Sequence, residues 1–475
     1  VRRTVAIATA GWFALGVALA AGVASAHRLE AAAFAVPIPL WLLYAGAGVT
    51  VAATAGWLGW GDASQVPTTP RWVGNVPSGL AKGVRTAVRV GFLAVFLLVL
   101  VHGLVGPSAA AENLATVVVW PLVLKGVALV AVLAGSPWRT LSPWETLYDL
   151  LVAVEGDDIA VLEGYPDRLG SWPAVVGFVL GVGVLENLTV ATRSPSTTVA
   201  VAGGYAAIML VGGVVFGREW FARADALAVL FDLLGRVSVL RVVTPWTGAD
   251  AADKTGESVR FELRPPWSGC LDAVRDGSLV VFVVAAVYTV SFDGFTATAT
   301  FRDLRFAAVD AVGLGVAGVS LYLFGLVVFV VSYLLAARLS ALAARGGTDR
   351  HLGTARASRA FAGSVVPIAA AYEVAHNYPF VLANAAQALV VARDILFGTG
   401  GSVSVLGWLP VPAFWTSQVA LVVAGHLVGV VAAHGVATRL TATAAGARRV
   451  HAPFVAVMIG YTVLSLWVIS RPLAA

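Results

Sequence analysis

About ten runs of apolar residues, each long enough to cross a bilayer as a helix, follow one another along the chain. They lie at roughly 38–59, 85–106, 115–135, 171–191, 198–217, 274–292, 307–335, 360–392, 413–435 and 452–470. In hydrocarbon, backbone N–H and C=O groups must be satisfied within the protein, and for a single run of this kind the helix does so. The expected fold class is therefore all-α: a polytopic integral membrane helical bundle of about ten transmembrane helices after an N-terminal signal sequence. Composition agrees, since 59% of the 475 residues are hydrophobic, only 12% are charged, and mean hydropathy is +0.86. The net charge of +5 is spread over connecting segments instead of forming a dense basic block. The expected partners are thus the lipid bilayer and a small-molecule substrate or ion, with no nucleic acid. A lone cysteine, Cys270, excludes an intrachain disulfide and a cysteine metal cluster.

Residues 1–26 begin with Arg2 and Arg3, continue apolar and end on Ala24, Ser25 and Ala26, the pattern of a signal peptide with a small-residue cleavage site. An uncleaved first helix fits the same residues. Cleavage would expose His27, whose amine and imidazole form a copper-chelating pair when a second histidine is near. Residues 27–475 then form a single transmembrane helical domain, with 136–170 and 218–273 as cytoplasmic interfacial segments. Loop charges orient it. Lys82, Arg85, Arg89, Arg139, Arg168, the Arg218–Arg264 stretch, the Arg338–Arg359 stretch and Arg439, Arg448 and Arg449 fall on one side, and Arg193, Arg302, Arg305 and Arg393 on the other. By the positive-inside rule the protein is expected in the cell membrane with the mature N-terminus and the C-terminus outside. Ser142–Gly156 reads as a helix capped by Ser142 with Pro143 in its first turn, and Arg218–Leu240 as an amphipathic helix lying at the membrane surface.

Polar residues inside apolar runs are costly and mark candidate sites. In Ala371–Gln387, with the sequence AYEVAHNYPFVLANAAQ, Glu373, His376, Asn377, Asn384 and Gln387 share an arc of roughly 100° on one helix face. Glu373 and His376 form one Glu-x-x-His pair, the spacing that offers a carboxylate and an imidazole to one metal; a di-iron site would need a second such pair. His426 sits near the midpoint of the next, antiparallel run, at a depth matching His376 within about a turn at about 1.5 Å per residue. Glu373, His376 and His426 are thus the candidate catalytic residues and the candidate ligands of one transition-metal ion. The two histidines would equally serve as axial haem ligands or proton carriers. Pro367 and Pro379 interrupt the hydrogen bonding of the same run. Lys125 is central in its own run, with Glu373 its best ion-pair partner by depth, while Glu186, beside Asn187, and Asp310 lie toward the outer side with His102. No GxxxxGK[ST], GxSxG, HExxH or CxxC occurs, so the corresponding nucleotide, serine-hydrolase, zincin and dithiol chemistries lack their signatures.

Five segments carry a family resemblance: VPIPLWLLYAGAGV (36–49), WFARADALAVLFDLLGR (220–236), SFDGF (291–295), PIAAAYEVAHNYPFVLANAAQ (367–387) and WTSQVALVVAGHLVGVVAAH (415–434). In order and over nearly the whole length, they resemble the prokaryotic multi-pass membrane proteins named fenitrothion hydrolase. Members keep Ala-His before an aromatic pair and an Ala-Gly-His in the next helix. This chain matches at His376 and His426 and departs at Asn377, where an aromatic residue is usual. The resemblance implies a membrane-bound hydrolase of organophosphate esters. Such an enzyme needs an activated water, which a metal on His376, His426 and Glu373 would supply. Two other classes stay open on the residues alone: a proton- or cation-coupled transporter using Glu373 and Glu186, and a bis-histidine haem electron carrier.

Overall fold

The computed structural model describes residues 39–60, 66–162, 164–244, 258–345, 352–399, 401 and 403–470. The signal-like residues 1–26 and His27 lie outside these. The chain runs through α1 (Leu40–Trp60), β1 (Arg71–Pro77), α2 (Ser78–Val105), α3 (Leu114–Ala134), α4 (Trp138–Leu141), α5 (Pro143–Glu155), α6 (Asp167–Glu186) and α7 (Pro195–Phe216). It continues through α8 (Arg218–Ala224), α9 (Ala226–Leu234), β2 (Leu240–Val243), β3 (Ser258–Leu263), α10 (Gly277–Thr296), α11 (Ala299–Val312), α12 (Leu314–Arg345), α13 (Thr354–Phe397), α14 (Val411–Leu440) and α15 (Ala444–Ile469). Among the described residues, ten helices are long and apolar enough to cross a membrane: α1, α2, α3, α6, α7, α10, α12, α13, α14 and α15.

The core lies around α10, which is buried along nearly its whole length from Val280 to Phe292 and packs against α13. Small residues let α13 and α14 come close. Gly425 faces the backbone carbonyl of Pro367 and the methyl of Ala371, and Gly429 the carbonyl of Ser364, so a Cβ at Gly425 would overlap its neighbours. Helix α13 continues through both Pro367 and Pro379. The arginine-bearing loops gather at one end of the bundle. Arg89 and Arg218 both reach Asp149 at 2.5 Å, Arg439 reaches Asp272 at 3.2 Å, and Arg359 donates to the carbonyl of Arg275.

Three features depart from the reading of the sequence. Arg218–Leu240 is not one surface helix. It breaks at Asp225 into α8 and α9, and α9 is buried on most of its circumference. Asp225 is fully shielded and accepts hydrogen bonds from the indoles of Trp138 and Trp144 at 2.9 and 2.8 Å, the Tyr205 hydroxyl at 2.8 Å and the Leu227 amide at 2.9 Å. These donors hold the segment inside. Burial pushes the Asp225 carboxyl above its ordinary range, with the indole, phenol and amide donors opposing. A second difference is a three-stranded antiparallel sheet in the order β1-β3-β2, with Val76 opposite Val259 and Val242 opposite Phe261. Its strands are short and β1 is far from the other two in sequence, so no local periodicity announces the sheet. Third, the 307–335 run is cut at Gly313, whose φ of +85° suits glycine. Asp310 therefore lies exposed near the end of α11 and outside the spanning helix α12. By contrast, the capped helix is as expected, with Ser142 Oγ accepting from the Glu145 amide and Pro143 in the first turn of α5.

Candidate functional site

Three carboxylates of the membrane-spanning helices converge on Lys125. Its Nζ stands 3.1 Å from Glu186 Oε1, 3.7 Å from Asp293 Oδ2 and 3.8 Å from Glu373 Oε1. The Lys125 side chain is 6% exposed and that of Glu373 9%, too little for water to stabilise either charge alone. Asp293 also faces His376 Nε2 at 3.7 Å. Four helices contribute: α3, α6, α10 and α13. Two of them are π-helical where they do so, α3 over Val119–Gly126 and α6 over Val179–Glu186. The wider turn of a π-helix re-aims side chains and is frequent at functional positions.

A cavity of about 530 Å³ opens above this cluster, walled by Lys125, Glu186, Asp293, His376, Asn377 and Asn384, with Thr116, Thr192 and Thr296 nearby. Two buried polar atoms of its wall, Glu186 Oε2 and Asn377 Nδ2, have no hydrogen-bond partner. On the other side of Lys125 lies a separate small cavity of about 20 Å³, an apolar constriction walled by Leu124, Phe178, Val182, Leu230, Leu234 and Val290, with Glu373 and Lys125 also in its wall. Further along the same helices, past Val130 and Ala134 of α3 and Ala228 of α9, lies a third cavity of about 770 Å³ at the arginine-bearing end. Along α3 the order is thus a wide polar vestibule, an apolar constriction and a second vestibule.

Most of the polar stripe of α13 belongs to this arrangement. Glu373, His376, Asn377 and Asn384 line it, and the expected pairing of Lys125 with Glu373 is present, although Glu186 is closer. Asn384 also donates to the carbonyl of Phe380, and Gln387 ties α13 to the loop before α3 through the carbonyl of Ala111. His102 closes α2 onto α3, with Nδ1 accepting from the Leu114 amide and its carbonyl from Asn113 Nδ2. His426 stands apart: it is buried, its Nδ1 donates to the Val422 carbonyl at 2.8 Å, and it lines neither the vestibule nor the constriction. Asp293 lies one residue past the apolar run of 274–292, so hydropathy alone does not single it out. The aspartate within SFDGF was the signal that could have found it.

Chemically, three carboxylates surround one ammonium, so with every group ionised the cluster carries two surplus negative charges. A buried surplus of this kind is costly and is relieved by bound protons or by a cation. Lys125 Nζ stands no farther than 3.8 Å from an oxygen of each of the three carboxylates. Among the described residues, no three or more His, Cys, Asp and Glu side chains are grouped to hold a metal ion. Comparison with known protein families, curated proteins and solved structures found no match.

Proposed function

We propose that the protein is a membrane transporter in which the Lys125–Glu186–Asp293–Glu373 cluster takes up and releases a proton or small cation. The observation that carries this reading is the surplus of carboxylates around Lys125 at the floor of a polar vestibule, with an apolar constriction beyond it. A carboxylate that takes a proton loses its hold on the ammonium, which then turns toward the remaining partners. The carboxylate that gives it up regains that hold. Exchange of this kind supplies two ion-pair states, one for each orientation that alternating access requires. The loop arginines would place the wide 770 Å³ cavity on the cytoplasmic side and the Lys125 vestibule on the outer side.

The test is purified protein in proteoliposomes carrying a pH gradient, a sodium gradient or a potassium gradient in separate preparations. Flux above that of protein-free vesicles in one of these is the expected result. Absence of flux under all three gradients, together with turnover of an aryl phosphotriester by the same preparation, would replace transport by the hydrolysis that the family resemblance implies.

A further inference from the structure

The three carboxylates around Lys125 are not equally placed for a ligand. The Asp293 side chain is 25% exposed, against 11% for Glu186 and 9% for Glu373, and is the most accessible of them from the polar vestibule. Its Oδ2 stands 3.7 Å from Lys125 Nζ and 3.7 Å from His376 Nε2, beyond direct hydrogen bonding to either. Lys125 is meanwhile held by Glu186 at 3.1 Å. Two aromatic rings, Trp120 and Phe380, stand in the same wall. The indole N–H of Trp120 donates to Thr198 Oγ1 at 2.9 Å, which leaves only the carbon surface of that ring for the cavity. Asn377, 4% exposed and part of the wall, holds its Nδ2 without an acceptor. A volume of about 530 Å³ lies in the range of small-molecule sites and exceeds what a proton or a bare alkali ion needs.

We propose that the vestibule binds a small organic ammonium ion that also carries a hydroxyl or carbonyl oxygen, with the ammonium on Asp293, the alkyl body against Trp120 and Phe380, and the oxygen toward Asn377. This names the cation of the transport reading and rests on that reading for movement across the membrane, though not for binding. An ammonium offsets the surplus of carboxylates, and its hydrogen bond to Asp293 is charge-assisted, the stronger kind. Aromatic faces attract an organic cation through the ring quadrupole, most strongly where water is excluded. The ligand's oxygen supplies the acceptor that Asn377 Nδ2 lacks, and a buried donor left unsatisfied is costly. A carboxylate on the ligand would meet the same surplus of negative charge, with Lys125 already enclosed by its own three partners, so the site discriminates against amino acids.

Thermal unfolding and isothermal titration of the full chain in non-ionic detergent test it, with ethanolamine, propylamine, ethylene glycol and glycine as separate probes at equal ionic strength. Wild type should bind ethanolamine most tightly, propylamine about fivefold more weakly, and neither ethylene glycol nor glycine. Asp293→Asn should weaken ethanolamine binding about tenfold or more, the scale of one lost charge-assisted hydrogen bond. Asn377→Leu should lower ethanolamine affinity to that of propylamine and leave propylamine itself unchanged, a selective effect that damage to the fold would not produce. Ethanolamine bound no more tightly than propylamine, glycine or ethylene glycol, wild-type affinity for it in Asp293→Asn, or no binding of either amine by wild type overturns the proposal. Uptake of labelled ethanolamine into proteoliposomes separates the site from the transport reading. Amine binding without flux of any cation keeps the site and removes transport, whereas proton or alkali-ion flux without amine binding keeps transport and removes the site.

Discussion

Lys125 Nζ lies 3.1 Å from Glu186 Oε1, both side chains nearly closed off from solvent, and the contact joins α3 to α6 where each helix is π-helical. Removing one partner of such a pair leaves the others buried and uncompensated. Lys125→Met is therefore expected to destabilise the protein by about 3–5 kcal/mol, read as a lower unfolding temperature in detergent. Adding Glu186→Gln to it should recover part of the loss, with a coupling of about 1–3 kcal/mol, because one orphaned charge is gone. Additive effects of the two substitutions would show that the pair does not interact.

Asp225 organises a second buried polar centre, with two indoles, a phenol and a backbone amide donating to one carboxylate. Asp225→Ala leaves these donors without an acceptor and should lower stability by on the order of 3 kcal/mol or more, as each buried unsatisfied group costs about 1–3 kcal/mol. Quenching and spectral shift of tryptophan fluorescence would report the change at Trp138 and Trp144 directly. Asp225→Asn keeps an acceptor oxygen and should cost less.

Glu145 gives a pH signature. Its carboxyl titrates near 7 in the folded protein against an ordinary value of 4.5, raised first by burial and then by Asp225. The folded state therefore binds more protons between those values, and stability is lost as pH rises through that window. Glu145→Gln abolishes this dependence. Its unfolding temperature should exceed that of wild type by more at about pH 8 than at about pH 4, and an identical difference at both would contradict the assignment.

The crossing of α13 and α14 offers a packing test. A Cβ at Gly425 would overlap Ala371 and the Pro367 carbonyl, whereas Gly460 on α15 has open space around it. Gly425→Ala should cost about 1–3 kcal/mol through overpacking. Gly460→Ala should be neutral or slightly stabilising, since alanine favours the helix. Equal effects would mean that the two helices do not approach as closely as described.

What the sequence discloses is depth, and what it conceals is direction. Apolar length placed the spanning helices, and counting residues along them put Lys125 and Glu373 at one level, where they meet at 3.8 Å. The same counting put His376 and His426 at one level. Depth says nothing of which way a side chain turns: His376 faces Asp293 and the vestibule, while His426 bonds its own helix and lines neither the vestibule nor the constriction. The π-helical turns of α3 and α6 break the regular phase on which any such projection relies. Asp293 and Asp225 were hidden for related reasons, one just past an apolar run and the other inside a segment whose alternation of aromatic and charged residues imitates a surface helix. Pairing of β1 with β3 joins residues nearly two hundred positions apart, which no local pattern encodes.

In the proposed transport function, the carboxylates around Lys125 carry the proton or cation. It is tested most directly by gradient-driven flux into proteoliposomes, comparing wild type with Glu186→Gln and Glu373→Gln at equal reconstituted amounts of folded protein. Both variants are predicted to lose at least about tenfold of the wild-type flux, as intramembrane ionisable groups of this kind define the ion pathway. Wild-type flux in both variants would contradict the account.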